Sequence, residues 1–151
     1  MTPLRSVSSA LAGLLLALPA AAQVTVTDPW IRGTVPQQMA TGAFMQLKAA
    51  KDAKLVEARS PVAGVVEIHE MTLENNVMRM RAVPALDLPA GRSVELKPGG
   101  YHVMLMDLKQ QMKEGEVVPV TLVIDSGGKR ETIEVRATVR APTARNEMSK
   151  K

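Results

Sequence analysis

The chain has no cysteine. That removes disulfides, thiolate metal cages and the thiolate-dependent form of blue-copper electron transfer in one step. Aromatic residues are almost as scarce, with one Trp, one Tyr and one Phe among 151 residues. Stacking platforms for nucleic acid are therefore missing, and the Lys and Arg residues are scattered among carboxylates rather than gathered in a stripe, so nucleic acid is not an expected partner. Beyond the first residues no stretch is apolar enough to span a bilayer, which needs roughly 20 consecutive apolar residues. No Gly-rich phosphate loop, hydrolase ligand set or activated nucleophile is visible, so an enzyme is not expected.

The amino terminus has the anatomy of an export signal. Arg5 precedes an apolar run from Leu11 to Leu18, and Pro19-Ala20-Ala21-Ala22 supplies the small residues read at cleavage. The reading is a leader over residues 1–22, a single domain over 23–140 and a flexible polar tail over 141–151. Removing Arg5 lowers the formal charge from +4 to +3. The remaining chain of about 130 residues is the usual size of one domain, large enough to bury a core without staples. A periplasmic location follows from export, with no membrane span once the leader is gone.

What remains is a series of short β-branched runs broken by Gly, Pro, Asn and Asp at intervals of roughly 8 to 12 residues, the pattern of an all-β sandwich or barrel. Strands are predicted over 24–27, 43–48, 55–59, 65–73, 77–83, 93–96, 101–107, 117–124 and 131–139. Pro119 lies inside one of them and marks an edge position or a bulge. A single helical turn is predicted between Leu108 and Glu114.

Against this plain background stand two histidines and ten methionines. Each histidine heads a methionine-bearing stretch, His69-Glu70-Met71 and His102-Val103-Met104, with Met80 between them. Thioether sulfur is soft and uncharged, so it suits Cu(I) far better than zinc, magnesium or calcium, and imidazole suits several transition metals. Asn75-Asn76 reads as a two-residue hairpin turn, because Asn tolerates the left-handed conformations such turns need. In that register Met71 faces Met80 and Leu73 faces Met78, with His69 diagonal to Met80 on the same side. The opposite side carries Glu70 across from Arg81 and Thr72 across from Arg79, as suits a solvated face.

Period-two alternation places His102, Met104 and Met106 on one side of their strand, and Tyr101, Val103 and Leu105 on the core side. Met39, Met45, Met78, Met112 and Met148 read as packing residues. Met71 and Met106 lie on ligand-bearing faces and are either auxiliary sulfurs or a soft rim.

His69, Met80, His102 and Met104 stand as His, ten residues, Met, twenty-one residues, His-x-Met. This spacing resembles the PCuAC-type periplasmic copper chaperones. The neighbouring segments Val66-Glu67-Ile68-His69-Glu70-Met71, Leu96 to Leu105 around Pro98-Gly99-Gly100, and Asp28-Pro29-Trp30-Ile31-Arg32 are similar to that family's own, and the likeness spans roughly 28–139. It implies a cupredoxin-like Greek-key β-sandwich, monomeric, that binds one Cu(I) through the four residues and passes it on. The family's usual recipient is the dinuclear copper centre of cytochrome c oxidase subunit II, sometimes together with Sco-type thiol proteins. The alternatives are a periplasmic copper or silver sequestration protein with no delivery role, and a structural β-sandwich without metal. Relatives with a His- and Met-rich C-terminal extension add a Cu(II) site, but the tail here offers only Met148.

Overall fold

The computed structural model describes residues 23–143, so the predicted leader and Met148 lie outside the described residues. Ten strands run in order: β1 (Val24–Arg32), β2 (Ala40–Ala49), β3 (Ala53–Arg59), β4 (Ala63–Glu74), β5 (Val77–Ala82), β6 (Leu86–Leu88), β7 (Ser93–Leu96), β8 (His102–Leu108), β9 (Val117–Ser126) and β10 (Lys129–Arg140). The fold is all-β, and among the described residues no helix is long and apolar enough to cross a membrane.

One continuous hydrogen-bonded path runs β5-β4-β8-β2-β1-β10-β9-β3-β6, with β7 also on β2. The path curls so that β3 packs against β4 and β6 against β2, closing a sandwich around Ile31, Leu47, Leu55, Val103, Leu105, Leu122 and Ile124. Every neighbouring pair is antiparallel except β1 with β10. Alternation along each strand sends one set of side chains into this core and the other outward. The outward set on β1, β2, β8 and β4 builds the candidate site.

The β4–β5 hairpin has the predicted register. Met71 pairs with Met80, Leu73 with Met78, Glu70 with Arg81 and Thr72 with Arg79. Asn75 and Asn76 both take positive φ, 50° and 62°, as a two-residue turn of this hand requires. Arg81 bonds Glu70 on the solvated side. Pro98 and Gly99 (φ 84°) form the turn before β8, closed by Gly100 N–H donating to the Lys97 carbonyl at 3.0 Å.

Nine of the ten strands fall where the sequence predicts them, most of them a residue or more longer. β1 continues past Thr27 to Arg32 because a bulge at Asp28 (φ 50°) absorbs the irregularity and the ladder to β2 resumes at Trp30. β6 is additional: its three residues lie between Pro84 and Pro89, too short a run to show a period.

Pro119 lies within a strand flanked on both sides, yet locally it is at an edge. The β3 ladder ends at Arg59–Thr121, and the Ser60 hydroxyl donates to the Pro119 carbonyl at 2.8 Å where further pairing would be. The expected helical turn over 108–114 is not there. That segment is tied to the loop after β1 instead, with Met112 N–H bonded to the Thr34 hydroxyl and Thr34 N–H to the Met112 carbonyl, both at 2.9 Å.

Two side-chain expectations also need correction. Tyr101 is exposed rather than in the core, because it belongs to the turn, where its carbonyl accepts from Lys97 N–H. Met39 and Met78 are exposed as well, whereas Met45 and Met112 are packing residues as expected.

The hairpin turn is the local feature on which register depends, since a one-residue slip would move every ligand candidate on β5 to the other face. Replacing Asn76 by Val forces a β-branched side chain into a left-handed conformation and should cost roughly 1–2 kcal/mol. Urea unfolding of Asn76→Val checks this, and an unchanged midpoint would contradict it.

Candidate functional site

The outer face is organised as a row, one residue per strand. Trp30 on β1 pairs with Phe44 on β2. Ala43 pairs with Val103, so Phe44 stands across from His102 on β8, and His102 pairs directly with His69 on β4. Ring centroids along the row are 4.6 Å from Trp30 to Phe44, 6.2 Å from Phe44 to His102 and 5.6 Å from His102 to His69. Outer-face rings would ordinarily meet water, but Trp30 and Phe44 are buried. The guanidinium of Arg140 covers Trp30 at 4.8 Å and that of Arg32 covers Phe44 at 5.5 Å, where cation and ring attract.

Phe44 takes its place because Gly42 leaves room for it. A methyl group at Gly42 would stand 2.7 Å from Phe44 Cζ, closer than such atoms pack. Gly42 in turn pairs with Met104, so the Phe44 ring that fills the space over Gly42 stands beside the Met104 position. The resulting cavity, about 320 Å³, is lined by Met71, Met80, His102 and Met104 together with Arg32, Gln38, Thr41, Phe44 and the Pro98-Gly99 turn.

Three of the four predicted ligands, Met80, His102 and Met104, therefore share one cavity wall, with Met71 among them. His69 stands beside His102 but does not line the cavity, and Met106 is one row further along β8 and outside it. Both imidazoles are buried, whereas Met80 is 47% exposed.

The hydrogen bonds set the state of each ring. His102 Nδ1 lies 3.2 Å from the Gly100 carbonyl, which can only accept, so the single proton of the neutral ring sits on Nδ1. Its Nε2 then presents a bare lone pair to Met80 Sδ at 3.1 Å. Burial holds the His102 pKa below the ordinary imidazole value, against the pull of the Gly100 carbonyl and with the neighbouring His69 and Arg32 adding to the effect.

His69 is oriented the opposite way round. Its Nε2 lies 2.7 Å from a Glu67 carboxylate oxygen, an acceptor, so Nε2 carries the proton and Nδ1 is bare. That Nδ1 is buried without a hydrogen-bond partner. A buried lone pair with no donor is costly unless something else occupies it. A carboxylate that holds a ligating histidine by its other nitrogen is a recurrent device of metal sites.

Among the described residues no three of His, Cys, Asp and Glu gather as a metal cage, so a hard-ligand site is not what this face builds. It gathers two imidazoles and thioethers, which favour a soft cation.

A family model described as LpqE-like, a lipoprotein family, matches residues 24–139. The chain belongs to the LpqE-like family. A Leifsonia xyli subsp. xyli protein named as a lipoprotein, Lxx21020, is 30% identical to this chain over 83% of it and 81% of the relative. Among solved structures, the Cu(I) form of DR1885 from Deinococcus radiodurans is 35% identical, with TM-score 0.61 over 80% of this chain and 83% of that one. The copper-bound PCuAC domain from PmoF2 shares the fold at 24% identity, with TM-score 0.66 over 82% and 97%.

This LpqE-like chain is thus structurally homologous to PCuAC domains over most of its length, with their cupredoxin-like all-β fold. Membership of a lipoprotein family also supports an exported, periplasmic-type location.

Spacing in the sequence points to the histidines and methionines but not to Arg32, Gly42, Phe44 or Glu67. Only Glu67 had a local signal, two residues before His69 and hence on the same strand face.

The two rings should differ in tautomer. Nitrogen NMR of the metal-free protein near neutral pH is expected to show His69 protonated at Nε2 and His102 at Nδ1, and Glu67→Ala should release His69 into a tautomer mixture while leaving His102 unchanged. The same tautomer in both rings of the unaltered protein would contradict the geometry.

Proposed function

We propose that this protein is a periplasmic copper chaperone that carries one Cu(I) on His69, Met80, His102 and Met104 and delivers it to cuproprotein acceptors. The observation that carries the reading is the approach of His102 Nε2 to Met80 Sδ at 3.1 Å, which brings an imidazole and a thioether, both ligand types for a soft metal, to one point. The bare, buried Nδ1 of His69 one strand away supports it. So does the likeness to a Cu(I)-bound Deinococcus radiodurans protein and to a copper-bound PCuAC domain. Copper is cargo here, not a reacting centre.

The donor set explains how cargo is both held and released. Two imidazoles contribute affinity, and two thioethers select the reduced, soft ion without deprotonation. Because none of the four carries charge, the complex keeps a net positive charge and the site is less tight than a thiolate site. Transfer to cysteines of an acceptor is then downhill, with a thioether the first ligand displaced. Met80 is half-exposed on an edge hairpin, which favours handover over sequestration. The acceptors we assign are the dinuclear copper centre of cytochrome c oxidase subunit II and Sco-type thiol proteins. The functional unit is residues 23–140, following an export leader over 1–22 and preceding a polar tail over 141–151.

Competition with a chromophoric Cu(I) chelator tests the reading and should give one equivalent per chain. Met80→Leu and Met104→Leu conserve volume and should cost less than about 1.5 kcal/mol of stability. Changes behind a ligand typically cost roughly 10–100-fold in metal affinity, so removing a ligand should cost at least about that. Variants that bind copper normally and unfold easily would establish these methionines as packing residues instead.

Acid should also weaken binding, because a protonated imidazole cannot ligate. The depressed pKa of His102 means that protons begin to compete for that ring below its ordinary value of about 6.5. Chelator titrations from neutral to mildly acid pH should therefore show affinity falling as pH falls, and a flat profile would exclude the histidines as ligands.

A further inference from the structure

We infer that Arg32 makes the cavity an entry site for an anionic soft ligand, the thiolate of a copper recipient, beside Met80 and Met104. The inference rests on the copper reading above and adds the chemistry of the group that enters.

The lining of the cavity carries charge of one sign, with the carboxylate of Glu67 standing behind it against His69. Its wall includes one cation, Arg32, and no carboxylate. Four arginines of the domain are in ion pairs, Arg59 with Glu57, Arg79 with Glu74, Arg81 with Glu70 and Arg140 with Asp28; Arg92, Arg130 and Arg136 are in none among the described residues, but only Arg32 lines the cavity. Arg32 is in no ion pair among the described residues, and its Nε is buried without a hydrogen-bond partner. Its one recorded side-chain contact is the face of Phe44.

An unmatched guanidinium does nothing to hold Cu(I), since two cations repel and the thioethers and imidazoles are neutral. It does favour an incoming anion. A thiolate that enters the cavity meets the positive charge of Arg32 on its wall and the metal at Met80, His102 and Met104, and it compensates both. In the exchange, the thiol releases its proton to water, the thiolate sulfur forms a bond to Cu(I) and one thioether–copper bond breaks. Copper remains Cu(I) throughout. The cavity, about 320 Å³, has room for a cysteine side chain, and its rim at Met80 opens onto the exposed apolar residues Leu73 and Met78 of the edge hairpin. Positive potential in a cleft raises the rate at which anions arrive and lowers the pKa of a thiol placed there.

The test follows Cu(I) transfer from the loaded full-length protein to a synthetic dithiol peptide and, as neutral control, to a methionine peptide of the same length. Arg32→Gln should slow transfer to the dithiol about tenfold, the low end of electrostatic steering effects. Transfer to the methionine peptide should change less than about twofold, and the difference should shrink as salt is raised. Arg32→Lys, which keeps the charge, should retain most of the dithiol rate. Equal slowing with both peptides, or loss with Lys as great as with Gln, would overturn the inference in favour of a packing role for Arg32 on Phe44. An unchanged dithiol rate in Arg32→Gln would overturn it too. Failure of the unaltered protein to take up Cu(I) would sink the copper reading itself and this inference with it.

Discussion

The site depends on one pairing, His69 opposite His102 across the β4–β8 ladder. These residues are far apart in the chain, and only the antiparallel register of two neighbouring strands brings their rings to 5.6 Å. The same register sets Glu67 across from Met104, and the hairpin that extends β4 delivers Met80 and Met71 from the other side. Because side chains alternate, a shift of one residue in the β4–β8 ladder would turn the histidines to opposite faces, and one in the hairpin ladder would turn Met80 away from them. The core holds that register: Ile68 and Val103 pair on the inner face next to the histidine pair, and both are buried. Binding chemistry on the outside is thus fixed by packing on the inside.

Polar accounting at the site is selective in a way that fits cargo transport. Each imidazole is anchored through one nitrogen, to Glu67 or to the Gly100 carbonyl, and left bare at the other. Anchoring fixes tautomer and ring direction before any metal arrives, so little ordering is required on binding. Burial of both rings behind half-exposed sulfur gives the hollow an apolar, soft front and a nitrogen back. Trp30 and Phe44 stiffen this arrangement from the side, clamped beneath Arg140 and Arg32.

Much of this was legible in the sequence, for identifiable reasons. Period-two alternation and the Asn75-Asn76 turn determine the β4–β5 register with no further information, and the Pro98-Gly99-Gly100 turn places the start of β8. The likeness to PCuAC chaperones added what alternation cannot give, the convergence of two distant strands. What stayed hidden arises from tertiary contacts. The 108–114 segment forgoes a helical turn because its backbone groups bond the Thr34 loop, and β1 runs on past Asp28-Pro29 because a bulge accommodates the proline. Phe44 carries no motif, and Arg32 only ends the family-like Asp28-Pro29-Trp30-Ile31-Arg32 segment with no role marked; both matter because β1 and β2 lie beside β8, and pairing order is not written in any short window. Met39 and Met78 show the reverse error, since an apolar side chain on an edge element has no core to enter.

X-ray absorption on the Cu(I)-loaded protein addresses the central claim most directly, because it counts donor atoms by element around the ion. The expected result is a single copper environment with two nitrogen and two sulfur neighbours. A first shell of nitrogen and oxygen without sulfur would contradict the claim that this face of the sandwich is a soft-metal site.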